Sequence, residues 1–399
     1  MAFNNPNPNP DNQLLIYNKF EWYYKNEFNW AYISHNESSQ RTVFLGKKDD
    51  LDYATIYIYL KSIKVFPNKY KTLLKEAYFL ACVKSNKYFA EIIDLFTSDN
   101  CDNMYIIMRD EGTDLQNFIQ YIPFDYNETI ENISRFIIFQ TVCGLKVLHE
   151  KGLSHNDIKL GNIVISGTGK TKICDLGSTS KNETLREGGT NGYLSLQAIL
   201  GKNRTKEDDM YAVGIVFLEL LNRKIGIFKV NNDEDKKDMA KKDMAKNDMA
   251  KKDMAKKMAK KILEKVYDIK HLDEEWNENI NYNIIINSID KGNYKEFEYK
   301  LKSDLFKPNE DEDNKKLIQN LLEIDPKKRM TAEKVLNLDM FQKLNFRFEN
   351  ENADMKYKED DYTKYFNSPN PLNKENFKKY VEEIREKFVG KTLLSIKTE

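Results

Sequence analysis

The chain has 399 residues, of which 40% are hydrophobic and 12% aromatic, enough to bury more than one core. Lys+Arg and Asp+Glu each total 63, so net charge gives no argument for nucleic acid or an acidic membrane surface as a bulk partner. Four cysteines, Cys82, Cys101, Cys143 and Cys174, show no C-x-x-C spacing; they suggest neither a zinc site nor a disulfide scaffold and fit a reducing compartment.

Residues 1–12 alternate Asn and Pro, a composition that packs no core and predicts a disordered leader; it also lacks the basic and apolar regions of a secretory signal. From Trp30 to Phe96, β-branched and aromatic runs such as Thr42-Val43-Phe44-Leu45 and Ala54 to Ile58 surround one helical pattern, Leu73 to Val83. A small sheet with one helix is expected there. After Asp114 the period becomes helical, and Ile138, Val142, Leu145 and Leu148 mark one face of a buried helix over Phe136 to Leu148. The longest apolar run, Tyr211 to Leu218, is too short to span a bilayer. An intracellular, cytoplasmic protein with no membrane and no nucleic-acid partner is therefore expected.

Residues 236–261 form a degenerate Lys-Lys-Asp-Met-Ala repeat with eleven Lys and four Asp, a local charge of +7. Five residues advance a helix about 140° past a full turn, so Met239, Met244, Met249 and Met254 spiral around the axis. The expectation is a solvated, fraying helix with no face to offer a core; the alternative is a basic element that docks a partner. From 346 to 399 the chain is strongly charged, with one amphipathic stretch near Phe377 to Phe388 that is expected to pack on the body or on a partner.

Phosphoryl transfer needs metal ions held by carboxylate and amide, a positioned base for the hydroxyl and a cation on the phosphates. Those residue types occur in order. Leu153-Ser154-His155-Asn156-Asp157-Ile158-Lys159-Leu160-Gly161-Asn162 resembles the catalytic loop of eukaryotic protein kinases. The resemblance implies that Asp157 accepts the substrate hydroxyl proton, that Asn162 holds magnesium, and that Lys159 marks the serine/threonine class. Thirteen residues on, Asp175-Leu176-Gly177 is similar to the Asp-Phe-Gly element, with Asp175 as main metal ligand. Gly189 to Gln197 looks like the end of an activation segment, with Thr190 beside the base. Asp209 to Gly214 resembles the opening of the buried central helix, and Leu321 to Arg329 the closing element. In the small lobe Glu76 resembles the helix glutamate that pairs with a strand lysine, Met108 sits at the gatekeeper position, and the Arg109–Glu111 backbone would meet adenine.

The resemblance implies an α+β, bilobal protein-kinase fold over residues 13–345. Its β-rich N-lobe would span about 13–111 and its mainly helical C-lobe about 112–345. ATP and Mg would be the cofactors, and Lys61, Lys64, Glu76, Val43, Met108 and Glu111 the nucleotide-binding candidates; the partner would be a protein substrate. Four departures stand against the family pattern. Asn36 to Val43 lacks the glycines that let backbone approach phosphate. Asn156 replaces an arginine, so a phosphate on the activation segment lacks its cationic partner. Gln197 replaces a glutamate that would pair with Arg329, leaving a neutral hydrogen bond there. The strand lysine has two registers: Lys61 lies fifteen residues before Glu76 but puts Tyr59 over adenine, whereas Lys64 puts small Ser62 there at a tight twelve. The resulting readings are a serine/threonine protein kinase or, alternatively, a pseudokinase that binds partners with weakened nucleotide affinity.

Overall fold

The computed structural model describes residues 29–36, 41–47, 56–62, 69–97, 103–121, 127–181, 189–229, 248–271, 280–308, 310–343, 355–366 and 374–389. The expected leader, the tip between Asn36 and Arg41, Lys64, Cys101 and the first part of the repeat lie outside the described residues. The chain divides into two compact units, one of residues 1–112, 175–177 and 351–399, the other of 113–174 and 178–350.

The first unit carries a five-stranded antiparallel sheet in the order β1-β2-β3-β5-β4. Its strands are β1 (Asn29–Asn36), β2 (Arg41–Lys47), β3 (Ile56–Ser62), β4 (Ile92–Thr97) and β5 (Asn103–Met108). Between β3 and β4 runs helix α1 (Lys69–Cys82), four residues longer at its start than the periodicity from Leu73 predicts. Buried residues surround α1. Leu73, Glu76, Ala77 and Leu80 share one face at the i, i+3, i+4, i+7 spacing, and Tyr78, Phe79 and Cys82 lie on another.

The second unit is mainly helical. Strand β6 (Thr113–Asp114) leads into α2 (Leu115–Tyr121) and the long α3 (Asn127–Glu150), followed by β7 (Leu153–Ser154), β8 (Ile163–Ile165), β9 (Thr171–Ile173) and β10 (Ser180–Lys181). The predicted helix 136–148 is thus the buried end of a longer element. Strands β6, β8 and β9 form one small sheet, and β7 pairs with β10. Helix α4 (Leu196–Ile199) is short and starts at Ser195, whose hydroxyl accepts from the Ala198 amide. Every residue of α5 (Lys206–Asn222) from Asp208 to Leu221 is buried, as expected of the apolar run at Tyr211 to Leu218. Gly214 explains how another helix gets close: a Cβ there would meet Leu321 and Leu322 at 2.9 Å.

Helix α6 (Asp248–Val266) corrects one expectation. The repeat is helical in its described part, and Met254 is exposed, but the helix does have a docking face: Ala259, Ile262, Leu263 and Val266 are buried. The reason is in the spacing, because after Met254 the five-residue period shortens and brings Ala259 into register with the apolar residues beyond the repeat. Strand β11 (Tyr267–His271) follows, then α7 (Tyr282–Lys291) and β12 (Phe297–Leu301), which pairs antiparallel with β11. Lys256 of α6 donates to Asn287 of α7 at 3.2 Å. The unit ends with α8 (Glu312–Leu321), α9 (Ala332–Leu336) and α10 (Asp339–Lys343).

The tail supplies α11 (Glu359–Phe366) and α12 (Lys374–Ile384), the latter running into a π-helical turn, Arg385–Val389. Phe377, Val381, Ile384 and Phe388 are buried at steps of four, three and four, the amphipathic stretch read from sequence. They pack within the first unit, against α1 and β4. No described helix is long and apolar enough to cross a membrane.

Candidate active site

The loop after β7 brings three of the predicted residues together. Lys159 Nζ donates to Asp157 Oδ2 at 2.7 Å, and Asn162 Nδ2 donates to the same oxygen at 3.0 Å and to the Asp157 carbonyl at 2.8 Å. Thr190 completes the set: its hydroxyl donates to Asp157 Oδ1 at 2.7 Å and accepts from Lys159 at 2.9 Å. Each donor fixes one lone-pair direction of the carboxylate, so Asp157 has a single orientation. Asn162 thus commits its amide nitrogen to Asp157.

This loop is anchored from beneath by Asp209 at the start of α5. Its two oxygens accept from the backbone N–H of Asn156 (2.7 Å) and His155 (2.8 Å), and Oδ2 also meets His149 Nε2 at 2.9 Å. Burial alone would raise the Asp209 pKa, but these hydrogen bonds and the neighbouring histidines outweigh it and hold the carboxyl below its ordinary value. Asn156 has φ 67°, a left-handed conformation that asparagine tolerates better than most residues. Its amide nitrogen donates to the Ser154 and Ser178 carbonyls, both at 3.1 Å, and to Ser180 Oγ at 2.9 Å. The side chain that replaces the family's arginine therefore ties β7 to β10 and carries no positive charge.

Arg204 is the buried cation beside this loop. Its Nη2 donates to the Asn156 carbonyl at 3.0 Å, and its Nη1 lies 3.1 Å from where a Cβ on Gly189 would stand. Gly189 has φ +98°, and a Cβ there would also stand 2.6 Å from Leu194 Cδ2, so glycine suits the position on both counts. The expected neutral bond between Gln197 and Arg329 exists at 3.4 Å, but Arg329 relies more on the Glu207 and Glu323 carbonyls, at 2.8 and 2.9 Å. Asp208 stands 3.9 Å from the same guanidinium, and Tyr211 presents its ring at 5.1 Å. Thus Asp208 supplies a carboxylate where the sequence pattern lost one.

Glu76 and Asp175 belong to the first unit. Glu76 is 1% exposed on α1, and a Cβ on Gly177 would sit 3.6 Å from its Oε2 and 3.3 Å from Asp175 Oδ1. Bare Gly177 therefore lets the two carboxylates share one corner, and Asp175 itself has φ 58°. Met108 is buried at the end of β5. The Arg109 N–H donates to the Glu91 carbonyl at 2.9 Å, and the Glu111 carboxylate accepts from the Glu91 N–H at 3.1 Å. Those bonds tie the segment after β5 to the residue before β4. On β3, Lys61 pairs with Arg41 on one side and Met104 on the other, and Tyr59 lies opposite Val43 and Ile106.

His149, Arg204 and Asp208 were not legible as site residues. The signal for Asp208 and Asp209 was there: two carboxylates leading into the apolar run Met210 to Leu218 must find buried donors. Among the described residues no three His, Cys, Asp or Glu side chains gather into a metal cluster.

A protein kinase domain matches residues 41–341 of the chain. Among curated proteins, the chain is 30% identical over 168 residues to a protein of Encephalitozoon cuniculi named as a probable serine/threonine-protein kinase; the match covers 41% of this chain and 31% of that one. It is 33% identical over 129 residues to the probable serine/threonine-protein kinase PknB of Lactococcus lactis, covering 30% and 20%. Mitogen-activated protein kinase 12 of Mus musculus is 30% identical over 153 residues, covering 36% and 40%. The chain thus spans less than half the length of these relatives. With the family domain matched over most of the sequence, and the residues of the catalytic-loop pattern joined around Asp157, this chain belongs to the protein kinase family.

Proposed function

We propose that the chain is an ATP- and magnesium-dependent serine/threonine protein kinase that transfers the γ-phosphoryl group to a protein hydroxyl. The observation that carries this reading is the Asp157, Lys159, Asn162 and Thr190 set, in which a base, a cation and an amide are held within hydrogen-bond distance of one another. Asp157 Oδ1 accepts a hydrogen bond from the Thr190 hydroxyl, and a substrate serine or threonine hydroxyl would take that place. Lys159 would neutralise charge on the transferred group. By the family resemblance Asn162 and Asp175 are each candidate magnesium ligands, and magnesium supplies electrostatic stabilisation of the phosphates when bound. Lys61 or Lys64, Glu76, Val43, Met108 and the Arg109–Glu111 backbone would hold the nucleotide. The Arg109 N–H faces Glu91, so its carbonyl is the group left to meet the adenine edge.

The test is magnesium-dependent ATP binding and phosphorylation of a generic basic protein by the purified chain. Wild type should bind and transfer, Asp157→Asn should bind without transfer, and Asp175→Ala should bind nothing. The scaffold reading rests on the missing glycines between Asn36 and Val43. No binding of ATP with magnesium would replace the enzyme by that scaffold.

A further inference from the structure

The kinase site uses one face of α1, the one bearing Glu76. The opposite face is covered by the tail, and the contacts are of a kind that fix position. Tyr78 is the hub: its ring lies 5.6 Å from those of Tyr365, Phe366 and Phe388, and its hydroxyl donates to the Lys358 carbonyl at 3.2 Å. Lys75, next to Glu76, has its ammonium 5.9 Å from both the Tyr362 and Phe366 rings. The Lys356 N–H donates to the Cys82 carbonyl at 2.9 Å, at the last turn of α1. Burial beneath the tail pushes the Cys82 thiol up to about 12.

Two ion pairs lock this arrangement. Arg385 Nε and Nη2 donate to the two oxygens of Asp94 at 2.7 and 3.1 Å, and Asp94 is buried on β4. Such a bidentate pair fixes orientation as well as distance. Lys387 donates to both oxygens of Asp361, at 2.6 and 2.7 Å, joining the π turn to α11.

From these contacts we infer that Arg385 and Phe388 are positioning residues for the phosphoryl-transfer site, acting through α1. The line of packing runs from the tail through α1 to Glu76, whose Oε2 lies 3.6 Å from where a Cβ on Gly177 would stand, beside Asp175. All of these residues lie in one compact unit. A helix covered on its Glu76 face and on its Tyr78 face moves with what grips the Tyr78 face, so loosening the tail frees the corner that orients the proposed metal ligand. The inference rests on the kinase reading for its catalytic consequence, but not for the mechanical coupling.

The experiment uses the full chain with Arg385→Ala, Arg385→Lys and Phe388→Leu, the last guarding against a variant that fails to fold. Two readouts are taken: hydrogen exchange over residues 69–82 and 174–178, and the magnesium concentration that half-saturates ATP binding. Arg385→Ala and Phe388→Leu should lose protection in both segments and raise the magnesium requirement roughly 2- to 30-fold, the range of coupling through packed networks. Arg385→Lys should recover part of it. Exchange changes confined to residues 355–389, with an unmoved magnesium midpoint, would overturn the inference. A wild type that binds no nucleotide rejects the kinase reading, while the exchange pattern still decides whether the tail holds α1.

Discussion

Replacing Asp209 by asparagine isolates the anchor of the catalytic loop without changing side-chain shape. The aspartate accepts three hydrogen bonds, from the N–H groups of Asn156 and His155 and from His149, at 2.7, 2.8 and 2.9 Å, and is 1% exposed. An amide offers one oxygen. If that oxygen keeps the Asn156 N–H, the new NH₂ group faces the His155 N–H, donor against donor, and one buried N–H loses its partner. Leaving such a group unpaired costs about 1–3 kcal/mol, and loss of charge assistance in the surviving bond adds about 1 kcal/mol. The expected destabilisation is about 2–4 kcal/mol, and phosphoryl transfer should fall with it because residues 155 and 156 lead directly into Asp157. The acid response has a definite sign. Because the folded Asp209 pKa lies below the ordinary value of 3.8, its stabilisation is complete above that value and is lost as pH falls through the folded pKa. Urea unfolding followed by circular dichroism, from neutral pH down to about pH 3, measures both effects. A variant within about 0.5 kcal/mol of wild type, with the same acid slope, would refute the claim that Asp209 anchors the loop.

Asp157→Asn should reduce transfer by about 10²- to 10⁴-fold while leaving the melting temperature near wild type, measured by radiolabel transfer and calorimetry; a comparable fall in stability would mean that the Thr190 contacts are chiefly structural. Gly214→Ala should destabilise by about 1–3 kcal/mol through collision with Leu321 and Leu322, and Leu322→Ala should partly relieve it; additive losses would sink the close-approach explanation. Deleting residues 236–247 leaves α6 whole and should not change stability, whereas extending the deletion to 261 removes buried Ala259 and most of the helix and should lower the melting temperature. Lys61→Met should weaken nucleotide binding more than Lys64→Met if Lys61 is the strand lysine, and Tyr59→Ala should then improve it; the reverse result assigns Lys64.

What the sequence determined here is whatever depends on residue type at short range. The loop from His155 to Asn162 is contiguous, so Asp157, Lys159 and Asn162 could be read together, and the four- and three-residue steps of Phe377 to Phe388 announced a buried face without naming its partner. Gln197 likewise pointed to Arg329, and the neutral bond between them exists. The tertiary structure alone decided what joins residues far apart in the chain. Asp209 holds the loop 53 residues before it, Asp208 approaches Arg329 in place of the lost glutamate, and Arg385 reaches Asp94 across 291 residues. The repeat shows the boundary from the other side. Its period led to no expectation of a buried face, and Met254 is exposed, yet Ala259 is buried, because burial is set by the register of the helix as a whole and by what stands opposite it, and a local period carries neither.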